Sequence, residues 1–284
     1  MDYIKYLKIK LNVSDPSEIV EEAVKYLGTK YPERINNVME YEIVDNWCKD
    51  MLLKWKIEFR ILNLSKTDIL GKLEPKYAGF IINLNKRLFT TQKRFTIAHE
   101  IAHVLSYDTF SPKWPQSKVL HSFKEEYYCD KIARAILLPR TLLDYKQFNL
   151  NKFDKSQFER IKEIWPKFKV SPWQIIKKLY EESSSDSIVC VYWQYIQNES
   201  NLRILDSCKP KGIFIPKKKH IYLNNMLKKW ETNKSPEIAY NSNDLFSGID
   251  LINIGSFYKK ELFCSAFPIK TKAGSYVIQI INMG

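Results

Sequence analysis

The stretch that most constrains this chain is His99-Glu100-Ile101-Ala102-His103, an H-E-x-x-H motif inside the apolar run from Phe95 to Leu105. If the run is helical, the four-residue step from His99 to His103 is about one turn, so both imidazoles leave one face and point at a single ion. Glu100 then lies about 100° round the helix from His99, able to reach a water in an open metal position without being a ligand. That is the place of a general base. Phe95, Ile97, Ala98, Ile101, Ala102, Val104 and Leu105 make the segment apolar on most sides, which predicts a buried helix carrying a few polar groups inward.

The motif alone does not decide the matter, because two histidines on an apolar helix can equally be hydrogen-bonded core residues. A third ligand is needed. Glu125 to Leu138 reads as a second helix that Pro139 ends, and within it Glu126 and Asp130 lie one turn apart on one face. Glu126 completes a His2Glu set, with Glu125 next in line. Asp130 is suited to accept the free ring N–H of a ligating histidine and so fix its tautomer. Cys129 reads as a small buried apolar residue rather than a redox switch.

In Ile81–Asn85, Arg94–His103, Glu126–Asp130, Ile132-Ala133 and Leu137-Leu138-Pro139 the sequence resembles the ImmA/IrrE family of bacterial zinc metallopeptidases, over roughly residues 10 to 145. It departs from that family at Ile101-Ala102, where Leu-Gly is usual, and at Cys129, where a small residue is usual. Neither departure touches a ligand. The resemblance implies an α+β protein. A zincin-like peptidase domain would span 1–150, a helix-turn-helix-like segment 151–184 and a C-terminal mixed α/β, GAF-like sensor domain 185–284. It also implies a zinc endopeptidase whose substrate is a helix-turn-helix repressor, cut to switch on a stress, mobile-element or phage-defence response. His99, His103 and Glu126 would hold the zinc, Glu100 would move the proton and Asp130 would support the ligands. In zinc peptidases of this build the strand before the motif helix, here Tyr77 to Asn85, lies along the cleft and can pair with an extended substrate, the alternative being an ordinary strand packed under the helix. Tyr107, His121, Tyr127 and Tyr128 are the candidates for stabilising the oxyanion.

Elsewhere the chain reads as follows. Ser14 to Leu27 opens with capping residues and an early proline and ends at Gly28, a bounded amphipathic helix, and a second helix runs from about Asn37 to Lys54. Ile57 to Ile61 alternates like a strand. Residues 156 to 182 carry two apolar helical faces joined by Phe168-Lys169-Val170-Ser171, with only Lys177 and Lys178 basic after Trp173. Ser183 to Ser187 is the best linker. Beyond it Ile188–Trp193, Leu202–Leu205, Gly212–Ile215, Leu262–Phe267 and Tyr276–Ile281 read as strands, with a helix near Ile221 to Trp230 and a basic turn at Lys217–His220.

The chain has 284 residues and is 45% apolar, enough for more than one core. It contains neither an 18-residue apolar run nor the apolar segment of a signal peptide, so a cytoplasmic location is expected. Five scattered cysteines without a C-x-x-C fit neither a disulfide framework nor a cysteine zinc site. A net charge of +13 allows attraction to nucleic acid, with single-stranded DNA one candidate signal for the C-terminal domain. The alternative readings are a DNA-binding regulator, or an antitoxin-like interaction protein, with a structural or vestigial metal site.

Overall fold

The computed structural model describes residues 2–63, 70–107, 123–183, 187–196, 201–210, 246–254, 258–271 and 274–283. The chain divides into two compact units, one made of Met1–Asp144 with Ile164–Gln174, the other of Tyr145–Glu163 with Ile175–Gly284.

The first unit begins with α1 (Tyr3–Leu11), whose Tyr3 and Leu7 are buried one turn apart. A 3-10 turn at Pro16–Glu18, capped by Asp15 accepting from the Ser17 N–H at 2.8 Å, leads into α2 (Ile19–Leu27). The buried Ile19, Ala23, Val24 and Leu27 give α2 one apolar face. After α3 (Glu40–Lys54) come β1 (Ile57–Leu62), β2 (Gly71–Lys76) and β3 (Gly79–Asn85), then α4 (Thr90–Ala102), a 3-10 turn at His103–Ser106, and α5 (Phe123–Leu137). Gln92 Oε1 accepts from the Phe89 N–H at 3.2 Å and so closes the start of α4. Helices α4 and α5 pack on one another through wholly buried Ile101, Ala102, Cys129, Ile132, Ala133 and Ile136.

The three strands lie in the order β1-β3-β2, with β1 parallel and β2 antiparallel to β3. This corrects the expectation that the strand before the motif helix pairs with a substrate. β3 is the central strand, both its edges are taken, and all seven of its residues are buried. Among the described residues the outer strands of this sheet are β1 and β2. Because the Asn85 N–H donates to the Leu70 carbonyl, the even-numbered residues of β2 turn their polar groups toward β3 and the odd-numbered ones turn theirs away. Pro75, with no N–H to give, occupies an outward position, which is where an edge strand tolerates it.

Helices α6 (Lys155–Phe168) and α7 (Pro172–Glu182) have the lengths expected of a helix-turn-helix, and Lys169 in the turn adopts φ 48. No residue of α7 is exposed, however, and its lysines are engaged: Lys177 pairs with Asp206 at 2.9 Å and Lys178 with Glu182 at 2.6 Å. α7 therefore offers no open basic face of the kind a recognition helix needs.

In the second unit β4 (Ile188–Ile196), β5 (Asn201–Cys208), β6 (Phe246–Ile254), β7 (Tyr258–Thr271) and β8 (Gly274–Asn282) form an antiparallel sheet in the order β5-β4-β8-β7-β6. Phe267 on β7 meets Phe153 and Phe158 at ring separations of 5.5 and 4.5 Å, and Ser265 Oγ donates to the Phe153 carbonyl at 2.7 Å. The expected strand Gly212–Ile215, the helix near Ile221 to Trp230 and the turn Lys217–His220 lie outside the described residues. Among the described residues no helix is long and apolar enough to cross a membrane.

Candidate metal centre

The α-helical hydrogen bond from the His103 N–H to the His99 carbonyl is kept even though His103 begins the 3-10 turn. The two imidazoles therefore stand on the same face, as a four-residue step requires. Their Nε2 atoms face one another at 3.1 Å. The Glu126 carboxylate, from α5, reaches the same point, with Oε2 at 3.1 Å from His99 Nε2 and Oε1 at 3.6 Å from His103 Nε2. Glu126 is 60% exposed along its side chain, so the point where the three groups meet opens to solvent.

The opposite nitrogens are held from behind. His99 Nδ1 donates to Asp130 Oδ1 at 2.9 Å, and His103 Nδ1 donates to Glu125 Oε1 at 2.7 Å. An ionised carboxylate only accepts, so each Nδ1 carries a proton, which leaves each Nε2 to meet a metal ion once it holds no proton of its own. Two lone pairs and a carboxylate converging on one point repel unless a cation or a shared proton lies among them. Metal–nitrogen bonds of about 2.0–2.1 Å at a tetrahedral angle hold two nitrogens roughly 3.3 Å apart, close to the separation seen here. The donor set thus fits a small divalent ion bound by His99, His103 and Glu126.

Glu125 is 1% exposed and also accepts from Ser106 Oγ at 2.7 Å, while Tyr3 OH lies 3.1 Å from Ser106 Oγ. A chain of polar groups thus runs from α1 through the 3-10 turn to the back of His103. Glu125, second choice as a ligand on sequence, is placed to orient one. Cys129 Sγ, wholly buried, lies 3.5 Å from His103 Nδ1. One ligand atom from each of His103, Glu125 and Cys129 lies within 4.8 Å of the others, and the same holds for His99, Glu100 and His103.

Glu100 is buried, and its Oε2 accepts from the outward-facing Leu73 N–H of β2 at 2.7 Å. Burial raises its pKa above the usual carboxylate range, against the pull of the two neighbouring histidines. In the metal-free chain burial works against a charged His99, but hydrogen bonds to Asp130 and Glu126 outweigh it and hold the pKa at about 9. The hydrogen bond from His99, followed by the nearby charges of His103 and His99, keeps Glu126 below its ordinary value despite partial burial.

Of the oxyanion candidates, Tyr107 is buried with its ring edge-on to Phe80 at 5.1 Å, Tyr128 is buried, and Tyr127 is half exposed under Lys131. His121 lies outside the described residues. The groups around the candidate site that sequence reasoning missed are Tyr3, Ser106 and the main-chain N–H of Leu73. Only Ser106, one helical step beyond His103, carried a signal in its spacing.

Residues 54–180 match the family model of Peptidase M78, described as the IrrE N-terminal-like domain. No curated protein matches the chain. Among solved structures, a Mycobacterium tuberculosis transcriptional regulator superposes with a TM-score of 0.50 over 98% of this chain and 92% of its own, at 11% identity, a likeness of fold. The matched segment contains all three strands of the first unit's sheet, the H-E-x-x-H helix and the helix bearing Glu126, so the part of the chain that is similar to the IrrE N-terminal-like domain of M78 peptidases is the part that carries the candidate site.

Proposed function

We propose that this protein is a zinc-dependent endopeptidase of the cytoplasm that cleaves a helix-turn-helix repressor. Residues 1–150 form its peptidase domain, 151–184 a helical segment, and 185–284 a GAF-like sensor that keeps it quiet until signalled, single-stranded DNA being one candidate signal. The observation that carries this reading is the convergence of His99 Nε2, His103 Nε2 and Glu126 at 3.1 to 3.6 Å, with each histidine held from behind by its own carboxylate. Zinc bound there would polarise the scissile carbonyl and make water easier to deprotonate.

Glu100 does the proton transfer. Its raised pKa suits a group that takes the proton of the attacking water and returns it to the leaving amine. The Leu73 N–H fixes one carboxylate oxygen, Oε2, which leaves Oε1 for the proton. Asp130 and Glu125 hold the two imidazoles in the tautomer that turns Nε2 outward.

A repressor is the substrate that the resemblance to the ImmA/IrrE family implies, and the fold neighbour titled a transcriptional regulator is in keeping with it. Direct DNA reading by α7 is the weaker alternative, since Lys177 and Lys178 are both ion-paired. The test is co-expression with the repressor encoded nearest the gene, with and without DNA damage. Cleavage by the wild type and none by Glu100→Gln supports the proposal, and intact repressor in every lane removes the substrate assignment.

A further inference from the structure

β1 is an edge strand of six residues with no proline and no bulge, and one side of it is apolar beyond what the core uses. Ile57, Phe59 and Ile61 stand opposite Phe80, Ile82 and Leu84 of β3 and so share their face. The β3 residues are buried and Ile57 is only 8% exposed, yet Phe59 is 42% and Ile61 62% exposed. Among the described residues the core layer therefore runs out to the edge of the sheet, where Phe59 and Ile61 are exposed. Edges of this kind are templates for another strand.

The hydrogen-bonding parity of the edge restricts what can pair with it. The carbonyls of Lys56 and Leu62 accept from Phe80 and Lys86, so the even-numbered residues of β1 face β3 and Ile57, Phe59 and Ile61 turn their N–H and C=O groups outward. We propose that two copies of this chain join edge to edge through β1, antiparallel and centred on Phe59, so that Ile57 pairs with Ile61 of the second copy and the two sheets become one. In this register Glu58 stands directly opposite Arg60 of the other copy, twice over, in the close non-hydrogen-bonded positions.

Charge selects the register. Sliding one strand by two residues in one direction sets Glu58 against Glu58, and in the other direction Arg60 against Arg60, both repulsive. Within its own chain Glu58 already pairs with Lys76, while Arg60 is exposed. The alternation of charge on one face and apolar residues on the other is thus self-complementary, which is what a two-fold interface requires. The proposal does not depend on the metal chemistry.

Sedimentation velocity on the full chain across a concentration series tests it. A monomer–dimer equilibrium is expected for the wild type, and monomer for Phe59→Lys. Glu58→Arg and Arg60→Glu should each weaken the dimer roughly tenfold or more. Mixing these two variants should restore association, because every pair is then complementary. Should Phe59→Lys fail to fold, as judged by circular dichroism, the two surface charge variants and their mixture carry the test alone. A wild type that stays monomeric up to its solubility limit, including one whose edge captures only an added extended peptide, overturns the proposal. So does a dimer indifferent to both charge reversals.

Discussion

Glu125 accepts a hydrogen bond from His103 Nδ1 at 2.7 Å while lying almost wholly out of solvent, and Ser106 Oγ meets the same oxygen at 2.7 Å. One carboxylate oxygen thus gathers two hydrogen bonds, and as the acceptor for Nδ1 it would set Nε2 as the ring nitrogen that faces a bound ion. Glu125→Gln keeps the shape but can present an N–H where His103 needs an acceptor. Metal affinity should fall by about 10- to 100-fold, measured by competition with a chromophoric chelator. Unchanged affinity would show that His103 needs no partner behind it.

Glu100 gives a prediction that separates chemistry from folding. Burial raises its pKa, so the folded chain holds a proton there that the unfolded chain releases above about 4.5. The resulting stability is full below that value and declines as pH rises through the higher folded pKa. Glu100→Gln should abolish this decline in the chelated protein, raising its melting temperature at neutral pH, while lowering cleavage by about 100- to 10,000-fold and leaving bound metal in place. Melting curves of both forms across the acid-to-neutral range check the first part.

His99 should couple metal binding to pH. Its folded pKa of about 9 exceeds the ordinary 6.5, so in the metal-free chain its ion pairs stabilise fully below 6.5 and their contribution is lost as pH passes 9. Metal must displace that proton. Affinity should therefore rise close to tenfold per pH unit between those limits, and Asp130→Asn should flatten the dependence. A pH-independent affinity in the wild type would contradict the hydrogen-bond pattern around His99.

Gly71 sits where β2 crosses α4. A Cβ there would run into Thr96 Cγ2, on a stiff β-branched side chain, and come within 3.4 Å of Glu100 Oε1. Gly71→Ala should cost about 1–3 kcal/mol and disturb the Leu73–Glu100 contact. Thr96→Ser removes the obstructing methyl group, so the double variant should recover most of the loss in urea unfolding.

What could be read from the sequence followed from periodicity and spacing. The four-residue steps between His99 and His103 and between Glu126 and Asp130 pointed to the candidate site, and α2, α4 and α5 appeared where apolar periodicity and caps put them. α1 was missed because no side chain caps its start and Lys5, Lys8 and Lys10 interrupt its apolar positions. Its helix is fixed by distant contacts, such as Tyr6 OH donating to the Leu105 carbonyl at 3.0 Å. β2 was missed because charge and Pro75 argue against a strand, an argument that fails at an edge position needing no N–H. The placements of Leu73, Ser106 and Tyr3 depend on contacts between residues 19 to 103 positions apart, which no local pattern encodes.

The central claim, that His99, His103 and Glu126 together hold one catalytic ion, is tested most directly by metal content. Elemental analysis of protein purified without added metal should find about one zinc per chain in the wild type and in Glu100→Gln, and almost none in His99→Ala or Glu126→Ala. Full zinc in Glu126→Ala, or none in the wild type even after incubation with zinc, would contradict it.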